Sequence, residues 1–486
     1  MYTTWRVKIQ SVLWSRWTVI IAVLTVAGTV GVLAAKDKIT DKIGLALAAV
    51  VGIFYFLLQG KRAYWLVLCI GIATTAIGHH GVYVTSTIYL VALEIVLFAL
   101  CAILFFESVA SGEPIDVKLP IALTFMTVWA ILHALATVLT LPPSYGDPYS
   151  LVIGWALTFA IGFPAFFVVD KIVKHEWQVV HILKITMAVS LVMSIFGILE
   201  YYFPSIARLL GDAPQSMILV AQDGFRRALF SFWGYPAAAS IITWGMVIAF
   251  DQFGHGKTLV AGVIALVVFA VDSLAVYISG QRSSWIALPL SLVIVSLNVK
   301  RRILLSIGAM LVVVVILLPG DFWNRMATLS SIILKGEVVD TSTQSRLNRW
   351  QSGIDDIIRN PLTGTGYGTE LLHNAVLEIG SRLGVMPGVV FVIFLIQLVL
   401  RILRCIGLPV PNARRYGLLF LALAVPWFMQ MAVETDLQTP PFAAPQWVFL
   451  ALAWFLPDIL RGQPTAATQP VIKSTTSPEL LEELSV

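Results

Sequence analysis

Residues 258–298 read TLVAGVIALVVFAVDSLAVYISGQRSSWIALPLSLVIVSLN, and this stretch decides the class of fold. Two apolar runs, 258–279 and 284–298, are separated by only a few small and polar residues. An α-helix rises 1.5 Å per residue, so about twenty apolar residues cross the roughly 30 Å hydrocarbon core of a bilayer. The stretch therefore predicts two antiparallel transmembrane helices joined by a tight turn.

Apolar runs of this kind recur along the whole chain. Hydrophobic residues make up 58% of the 486 residues and charged residues only 12%, whereas soluble domains carry about 25% charged residues. We therefore predict an all-α integral membrane protein with about 12 to 14 transmembrane helices and a long extracytoplasmic loop that contains amphipathic helices. The predicted spans are 17–35, 43–59, 63–78, 86–106, 119–141, 150–169, 180–202, 233–250, 258–279, 284–298, 303–319, 386–403, 416–432 and 446–460.

Lysine and arginine residues are distributed unequally between the two sets of predicted loops. With the N-terminus in the cytoplasm, 18 of them fall on the cytoplasmic side and 7 in the short outer loops. Cytoplasmic loops retain positive charge, so this bias predicts a multi-pass inner-membrane protein with both termini in the cytoplasm. Segment 320–385 then lies outside. The net charge of +5 follows from this topology, and we predict no nucleic-acid partner.

The chain divides into four predicted parts, which are transmembrane helices in 1–222, a catalytic region in 223–388, transmembrane helices in 389–460 and a disordered cytoplasmic tail in 461–486. Cys69, Cys101 and Cys405 lie in or beside apolar spans, so no disulfide framework or metal cluster is predicted. The chain contains neither a phosphate-binding glycine loop of the nucleotide-binding type nor an HExxH pair. We therefore predict no metal and no cofactor.

Two predicted outer segments carry arginines beside the membrane. Arg226 and Arg227 are adjacent and precede a helix, and two guanidinium groups there can bind an anionic group through forked donors. Anchoring of the helix end at lipid headgroups remains an alternative. Arg282 lies in the tight link between spans 258–279 and 284–298. An arginine so close to hydrocarbon is costly unless it is paired, which makes Arg282 a functional candidate, with interfacial snorkelling as the alternative.

The third outer segment, 320–385, predicts two short helices lying over the membrane. Residues 344–359 form an amphipathic stretch, which proline and glycine residues end. A second helix is predicted over 369–383 and carries His373, Asn374 and Glu378. A lone histidine on such a helix is usually a surface or packing residue. The apolar positions at helical spacing in the first stretch are Leu347, Trp350, Ile354 and Ile357.

Five blocks occur in a recognisable order in residues 223–388. They are Arg227 with the following Ser-Phe and Pro236, Ser279–Trp285 (SGQRSSW), Arg346–Trp350, Asn360–Gly368 (NPLTGTGYG) and Leu372–Gly384 (LHNAVLEIGSRLG). Together they resemble the motifs of the O-antigen ligase and polymerase superfamily. The histidine block with its preceding Pro-Leu-x-Gly-x-Gly is the most specific of them. Spacing to Ser231-Phe232 favours Arg227 over Arg226 as the family's first arginine.

The resemblance implies a metal-independent transferase. It would move a glycan from undecaprenyl pyrophosphate to an acceptor hydroxyl at the extracytoplasmic face, in the biosynthesis of a surface polysaccharide such as O-antigen, exopolysaccharide or capsule. The acceptor is open between the growing glycan, a lipid A core and a protein hydroxyl. Membrane lipids surround the site.

The residue types suit that chemistry. Negative charge develops on the departing pyrophosphate and needs preorganised cations, for which Arg227 and Arg282 are the first candidates and Arg226 and Arg346 the next. The acceptor hydroxyl needs a general base, and His373 is the candidate. Supporting roles fall to Asn374, Glu378 and Glu200.

A non-enzyme remains the alternative. A lipid-linked oligosaccharide flippase or secondary transporter also has many helices with charged residues inside the membrane, such as Glu94 and Asp272 here. Transporters often show internal repeats, and the two halves of this chain show no convincing repeat. A flippase also has no need of a long outer loop bearing a histidine. For Glu94 and Asp272 we favour structural roles, pairing with an arginine or a hydroxyl or shaping a cavity.

Overall fold

The computed structural model of the protein is a bundle of α-helices. It describes residues 61–77, 81–83, 89–112, 118–140, 160–203, 218–220, 226–228, 230, 235–256, 258–299, 320, 323, 327, 341–366, 372–433 and 440–462. The helices are α1 (Lys61–Thr74), α2 (Ala92–Ser111), α3 (Ile121–Thr140), α4 (Gly162–Ile172), α5 (Glu176–Tyr202), α6 (Tyr235–His255), α7 (Leu259–Ser279), α8 (Arg282–Ser296), α9 (Thr341–Arg359), α10 (Ala375–Leu383), α11 (Val385–Ile406), α12 (Ala413–Val433) and α13 (Pro440–Arg461). Two antiparallel ribbons pair β1 (Gly81–Tyr83) with β2 (Tyr89–Val91) and β3 (Ile218–Val220) with β4 (Arg226–Ala228).

The predicted all-α membrane fold is confirmed. Among the described residues, α2, α5, α7, α11, α12 and most of α13 are long and apolar enough to cross a membrane, and α1, α3 and α8 include shorter apolar helices. Each ribbon pairs only three residues per strand, so neither builds a sheet layer. The predicted spans 17–35, 43–59 and 303–319, most of 320–340, and the tail after 462 lie outside the described residues.

The helices separate an apolar exterior from a packed interior. On α7, Val260, Val263 and Val267 are at least half exposed, as expected for side chains that face lipid. On its inner side, Asp272 is fully buried and accepts hydrogen bonds from the hydroxyls of Ser190 (2.8 Å) and Ser194 (2.6 Å) on α5. A buried carboxyl needs such partners, so of the roles that the sequence left open for this mid-span acid, the structure shows pairing with hydroxyls.

Helix α12 lies at the centre of the part that holds the candidate site, packing against α6, α8, α10 and α11. Pro426 inside α12 removes the N–H that the Ala422 carbonyl would otherwise accept. The Ser291 hydroxyl of α8 donates to that carbonyl at 2.8 Å, and the Trp244 indole of α6 donates to the neighbouring Leu423 carbonyl at 2.9 Å. The proline therefore frees the Ala422 carbonyl, one of the two acceptors through which α12 is bonded to its neighbours.

Ion pairs hold one end of the bundle, which we call the ion-pair end. Arg415 at the start of α12 donates from Nε and Nη2 to the buried carboxylate of Asp251 near the end of α6, with a shortest distance of 2.6 Å. Asn412 and Tyr416 donate to Glu176 at the start of α5, both at 2.9 Å. Since α5, α7 and α12 finish at the other end, which we call the turn end, the α7–α8 turn and the segment before α11 lie there together.

The ribbon that carries the first arginine pair is anchored by one aromatic side chain. Strand β4 packs against α5 and α7, and Ala228 and Phe230 after its arginines are fully buried. The ring of Phe230 lies over Gly197 of α5, where any Cβ atom would overlap it. Phe230 also has a positive φ of 51°, so the chain leaves the ribbon in the left-handed region. Gly197 is thus the position on α5 that allows the ribbon to dock.

We expect Gly197→Ala to destabilise the protein by about 1 to 3 kcal/mol, because an inserted methyl group in a packed interior forces its neighbours to move. The measurement is thermal unfolding of the detergent-solubilised protein followed by tryptophan fluorescence. Gly262→Ala on α7 is the matched control, since a Cβ there meets no atom within 4 Å. Equal stability of the two variants would contradict this account of the ribbon.

Candidate functional site

The turn that carries Arg282 is rigid and largely buried. Helix α7 ends at Gly280, whose positive φ of 65° provides a left-handed C-cap, and α8 begins two residues later at Arg282. The Ser279 hydroxyl accepts from the backbone amide of Gln281 at 3.2 Å, and the Trp285 indole donates to the Val276 carbonyl at 3.0 Å. Arg282 itself is half-buried. The tight antiparallel turn predicted from the sequence is thus present, with Arg282 at the first residue of its second helix.

A buried glutamine of α12 closes this turn from the side. The Oε1 atom of Gln430 accepts from the hydroxyl of Ser283 at 3.0 Å and from the side-chain amide of Gln281 at 3.3 Å. Gln281 also donates to Ser283 at 2.8 Å. All three side chains are buried. Arg282 therefore lies between two residues that are bound to the last turns of α12.

The histidine prediction needs one correction. The expected helix over 369–383 begins only at Ala375, because Asn374 is its N-cap and accepts from the Leu377 amide at 3.0 Å. His373 lies in the loop before the cap and has a positive φ of 54°, an unfavourable conformation for a residue with a side chain. Backbone strain of this kind is concentrated at functional sites. His373 is thus displayed from a constrained loop, where a helix had been predicted.

Asn374 also connects the histidine loop to α12. Its amide nitrogen donates to the Ala432 carbonyl at 3.2 Å, while its amide oxygen caps α10. Ala432 lies two residues beyond Gln430, or about 3 Å further along the helix axis. The Arg282 turn and the His373 loop are therefore both attached to the last turn of α12.

A buried ion pair supports the histidine loop from within α10. The Oε1 atom of Glu378 lies 2.6 Å from Nη2 of Arg382, and both side chains are almost completely buried. The Oε2 atom of Glu378 accepts from the backbone amide of Leu372, next to His373, at 3.3 Å. Burial raises the pKa of Glu378 to about 7, although Arg382, the Leu372 amide and His373 act in the opposite direction.

The glycine motif caps the far end of α10. Thr365 and Gly366 donate backbone N–H groups to the carbonyls of Ser381 (2.7 Å) and Arg382 (3.1 Å). Gly364 and Gly366 have positive φ values of 66° and 82°, and a Cβ on Gly364 would overlap the Arg382 backbone. Helix ends leave carbonyls without intrahelical partners. The NPLTGTGYG block thus satisfies these carbonyls and secures the helix that follows His373.

Helix α3 contributes two polar contacts to the same loop. The Trp129 indole donates to the Leu383 carbonyl at 3.1 Å, and Nε2 of His133 lies 2.7 Å from the Thr363 carbonyl oxygen. Neither Trp129 nor His133 was a candidate from the sequence, because each is separated by more than 220 residues from the residue that it contacts. The one available signal was His133 itself, a histidine inside an apolar run.

The helix predicted over 344–359 is present as α9 and packs on α10. Gly353 faces Leu372, and Ile357 faces Gly380. Arg346 and Arg349 are half-buried, whereas Leu347 and Ile354 are exposed. Two of the four apolar positions at helical spacing therefore lie away from the face of α9 that carries Gly353 and Ile357.

The remaining candidates lie at the same end. Glu200 is buried in the last turn of α5. Arg226 and Arg227 lie in β4, where their backbones pair with Val220 and Leu219. The structure attaches the Arg282 turn, through Ser283, and the His373 loop, through Asn374, to one helix, α12. It places β4 against α5 and α7. Among the described residues, no group of three or more His, Cys, Asp and Glu side chains is arranged to hold a metal ion.

Fold and site define a multi-pass α-helical membrane protein with a polar site at one end of its bundle. Comparison with known families identifies residues 264–395 as matching the O-antigen ligase family. The resemblance of the chain to that superfamily is therefore confirmed over these residues. The matched residues include Arg282, Arg346, His373 and Glu378, whereas Arg226 and Arg227 precede them. A search of curated proteins found no significant match.

The buried Glu378 should make stability depend on pH. Its folded-state pKa of about 7 lies above the ordinary 4.5, so its contribution to stability is fully present below pH 4.5 and is lost as the pH rises to about 7. We expect a loss of about 3 kcal/mol across that window, since one pKa unit corresponds to about 1.4 kcal/mol. Glu378→Gln should remove this part of the pH dependence.

The comparison is between thermal unfolding curves of the wild-type and Glu378→Gln proteins at several pH values between 4.5 and 7.5. Subtracting one series from the other isolates Glu378 from all other titrating groups. Parallel curves for the two proteins would contradict the assignment.

Proposed function

We propose that the protein transfers a glycan from undecaprenyl pyrophosphate to an acceptor hydroxyl, as a polymerase or ligase in surface polysaccharide biosynthesis. The match of residues 264–395 to the O-antigen ligase family supports the transfer of a glycan. The observation that carries the proposal further is the attachment of the Arg282 turn and the His373 loop to the same turn of α12. A cation for the leaving group and a base for the nucleophile are thereby held at one end of the bundle.

In the proposed reaction the acceptor oxygen attacks the anomeric carbon of the donor sugar. The bond between that carbon and the pyrophosphate oxygen breaks, and its electron pair leaves with the lipid pyrophosphate. Arg282 and Arg227 stabilise the charge that develops there, with Arg226 and Arg346 as helpers. Forked guanidinium donors suit phosphate oxygens. This arrangement needs no metal ion.

His373 is the proposed general base that accepts the proton of the acceptor hydroxyl. The φ of 54° and the hydrogen bonds that Leu372 and Asn374 make on either side of it restrict its loop. A base acts efficiently only when it is held within hydrogen-bond reach of the proton. Asn374 and Glu378 are therefore supporting residues that position the loop, and Glu200 is a buried carboxyl at the same end.

The decisive experiment is reconstitution of the purified chain in proteoliposomes with an undecaprenyl-pyrophosphate-linked oligosaccharide. Transfer predicts extended glycan, or glycan attached to added lipid A core or protein, together with released undecaprenyl pyrophosphate. We expect the reaction to continue in EDTA. Movement of intact donor across the bilayer without a new glycosidic bond would overturn the proposal in favour of a flippase, and the acceptor that is consumed distinguishes polymerase from ligase.

We also propose that the turn end faces the periplasm or cell exterior of the bacterial inner membrane. The support is the charge bias of 18 against 7 basic residues. A single cysteine at Thr343 on α9, in a chain whose three native cysteines are replaced, should react with a membrane-impermeant maleimide added to intact spheroplasts. A cysteine at Asn412, at the ion-pair end, should react only after permeabilisation. The reverse pattern would overturn the topology.

A further inference from the structure

Gln430 is a polar side chain that no part of the proposed reaction uses. It lies in α12, three residues from the helix end, and is only 1% exposed. Burying an amide costs free energy unless its polar atoms are bonded. The Oε1 atom of Gln430 accepts from Ser283 and Gln281, whereas its Nε2 atom has no hydrogen-bond partner among the described residues. Within that part of the chain, the hydrogen bonds of the Gln430 side chain are therefore all made to the Arg282 turn.

The two donors flank Arg282 in the sequence. Gln281 is the N-cap position of α8, and Ser283 is the residue after Arg282. Within their own helix pair, Gln281 donates from its side chain to Ser283 and from its backbone amide to the Ser279 hydroxyl. The oxygen of Gln430 is thus the point at which the turn is attached by side chains to α12. Two residues further on, the Ala432 carbonyl holds Asn374 and the His373 loop.

We propose that Gln430 is a positioning residue, whose amide oxygen holds the α7–α8 turn against the last turn of α12 and thereby fixes Arg282 relative to the His373 loop. This inference rests on the proposed function for its effect on turnover. The immobilisation of the α7–α8 turn by Gln430 does not depend on the proposed function.

The substitution Gln430→Met tests the idea, because methionine has a similar length and cannot accept these hydrogen bonds. Since Nε2 of Gln430 has no partner in the part of the chain that the structure describes, the described hydrogen bonds that the variant removes are those to the turn. Gln446→Met is the matched control. Gln446 is also a buried glutamine, near the start of α13 at the same end, and its oxygen accepts from the Trp427 indole of α12 at 3.0 Å. Among the described residues it makes no hydrogen bond to the turn.

The first measurement is hydrogen–deuterium exchange of the peptide covering residues 279–290 in nanodisc-embedded protein. We expect faster exchange in Gln430→Met and unchanged exchange in Gln446→Met. Equal exchange in the wild type and Gln430→Met would overturn the proposal whether or not the protein transfers glycan.

The second measurement is transfer of glycan from an undecaprenyl-pyrophosphate-linked oligosaccharide. Misplacing a catalytic group by about 1 Å costs on the order of 10²-fold, so we expect Gln430→Met to lower kcat/KM by about that factor and Gln446→Met to stay within about twofold. Because Gln430 acts through Arg282, adding Gln430→Met to Arg282→Ala should cause little further loss. Losses that simply multiply would overturn the proposal.

The two measurements separate the failure of this inference from the failure of the proposed function. A wild-type protein that transfers no glycan removes the function, while the exchange experiment still decides whether Gln430 holds the turn. An active wild type with an equally active Gln430→Met variant removes the positioning role and leaves the function in place.

Discussion

Replacing His373 by asparagine is expected to lower glycan transfer by roughly 10² to 10⁴-fold, the usual contribution of a positioned general base. Asparagine is the informative substitution because the backbone at residue 373 is in the left-handed region. Asparagine adopts this region more readily than most residues that have a side chain. It therefore removes the imidazole without adding backbone strain. Folding and membrane insertion should be retained, since the residue lies in a loop outside the transmembrane helices.

The same variant should still bind the donor, because the arginines are proposed to hold the pyrophosphate. The measurement is single-turnover transfer together with binding of the undecaprenyl-pyrophosphate-linked oligosaccharide. His181→Asn is a matched control, since His181 lies on α5 near the ion-pair end. Its contacts among the described residues are with Trp177 of the same helix, through a hydrogen bond from Nδ1 to the carbonyl and an edge-to-face contact of the two rings. We expect this control to remain within about twofold of the wild type.

A second substitution, His373→Gln, separates a chemical role from a packing role. Glutamine keeps polarity and approximate size, so a histidine needed only for packing would tolerate the change. A His373→Gln protein that binds donor and transfers glycan near the wild-type rate would remove His373 from the mechanism. Glu378 or a group borne by the acceptor would then be the next candidate base.

Replacing Arg282 by lysine is expected to lower transfer by about 10² to 10³-fold, the usual cost of losing one donor that stabilises developing negative charge. Lysine keeps the positive charge but loses the planar fork that binds two phosphate oxygens together. The loss should therefore exceed what a purely electrostatic role allows, and it should appear in kcat as well as KM because the charge develops in the transition state.

Arg401→Lys provides the control for this change. Arg401 of α11 lies at the ion-pair end, away from the candidate site. It donates to the carboxylate of Asp458 at 2.9 Å. We expect it to alter activity by less than about twofold. An Arg282→Lys protein with wild-type kcat would show that Arg282 serves only as an interfacial anchor, the alternative that the sequence left open.

Local sequence patterns predicted several elements of the site well. The glycine-rich block after Asn360 and the tight link around Arg282 were both recognised as chain reversals, because glycine and short polar links have strong local preferences. The boundary at His373 was wrong by several residues, since hydrophobic periodicity does not reveal that Asn374 caps the helix. Helix boundaries depend on such single hydrogen bonds.

The partners of these elements were not predictable from the same patterns. Gln430 bonds to Ser283 across 147 residues of sequence, and Trp129 bonds to Leu383 across 254. A glutamine near the end of an apolar run carries no information about which turn it will meet. Such contacts depend on how helices pack.

By itself, the sequence determined the all-α membrane class, the alternating direction of successive helices and the presence of the arginine and histidine blocks. The length of each apolar run and the number of basic residues in each loop are local properties of the chain. Only the tertiary structure decided that α12 joins the Arg282 turn to the His373 loop, that Phe230 docks its ribbon on Gly197, and that Glu378 is buried against Arg382. These features arise when distant helices exclude lipid and water between them, and each buried polar group must then find its partner in another part of the chain.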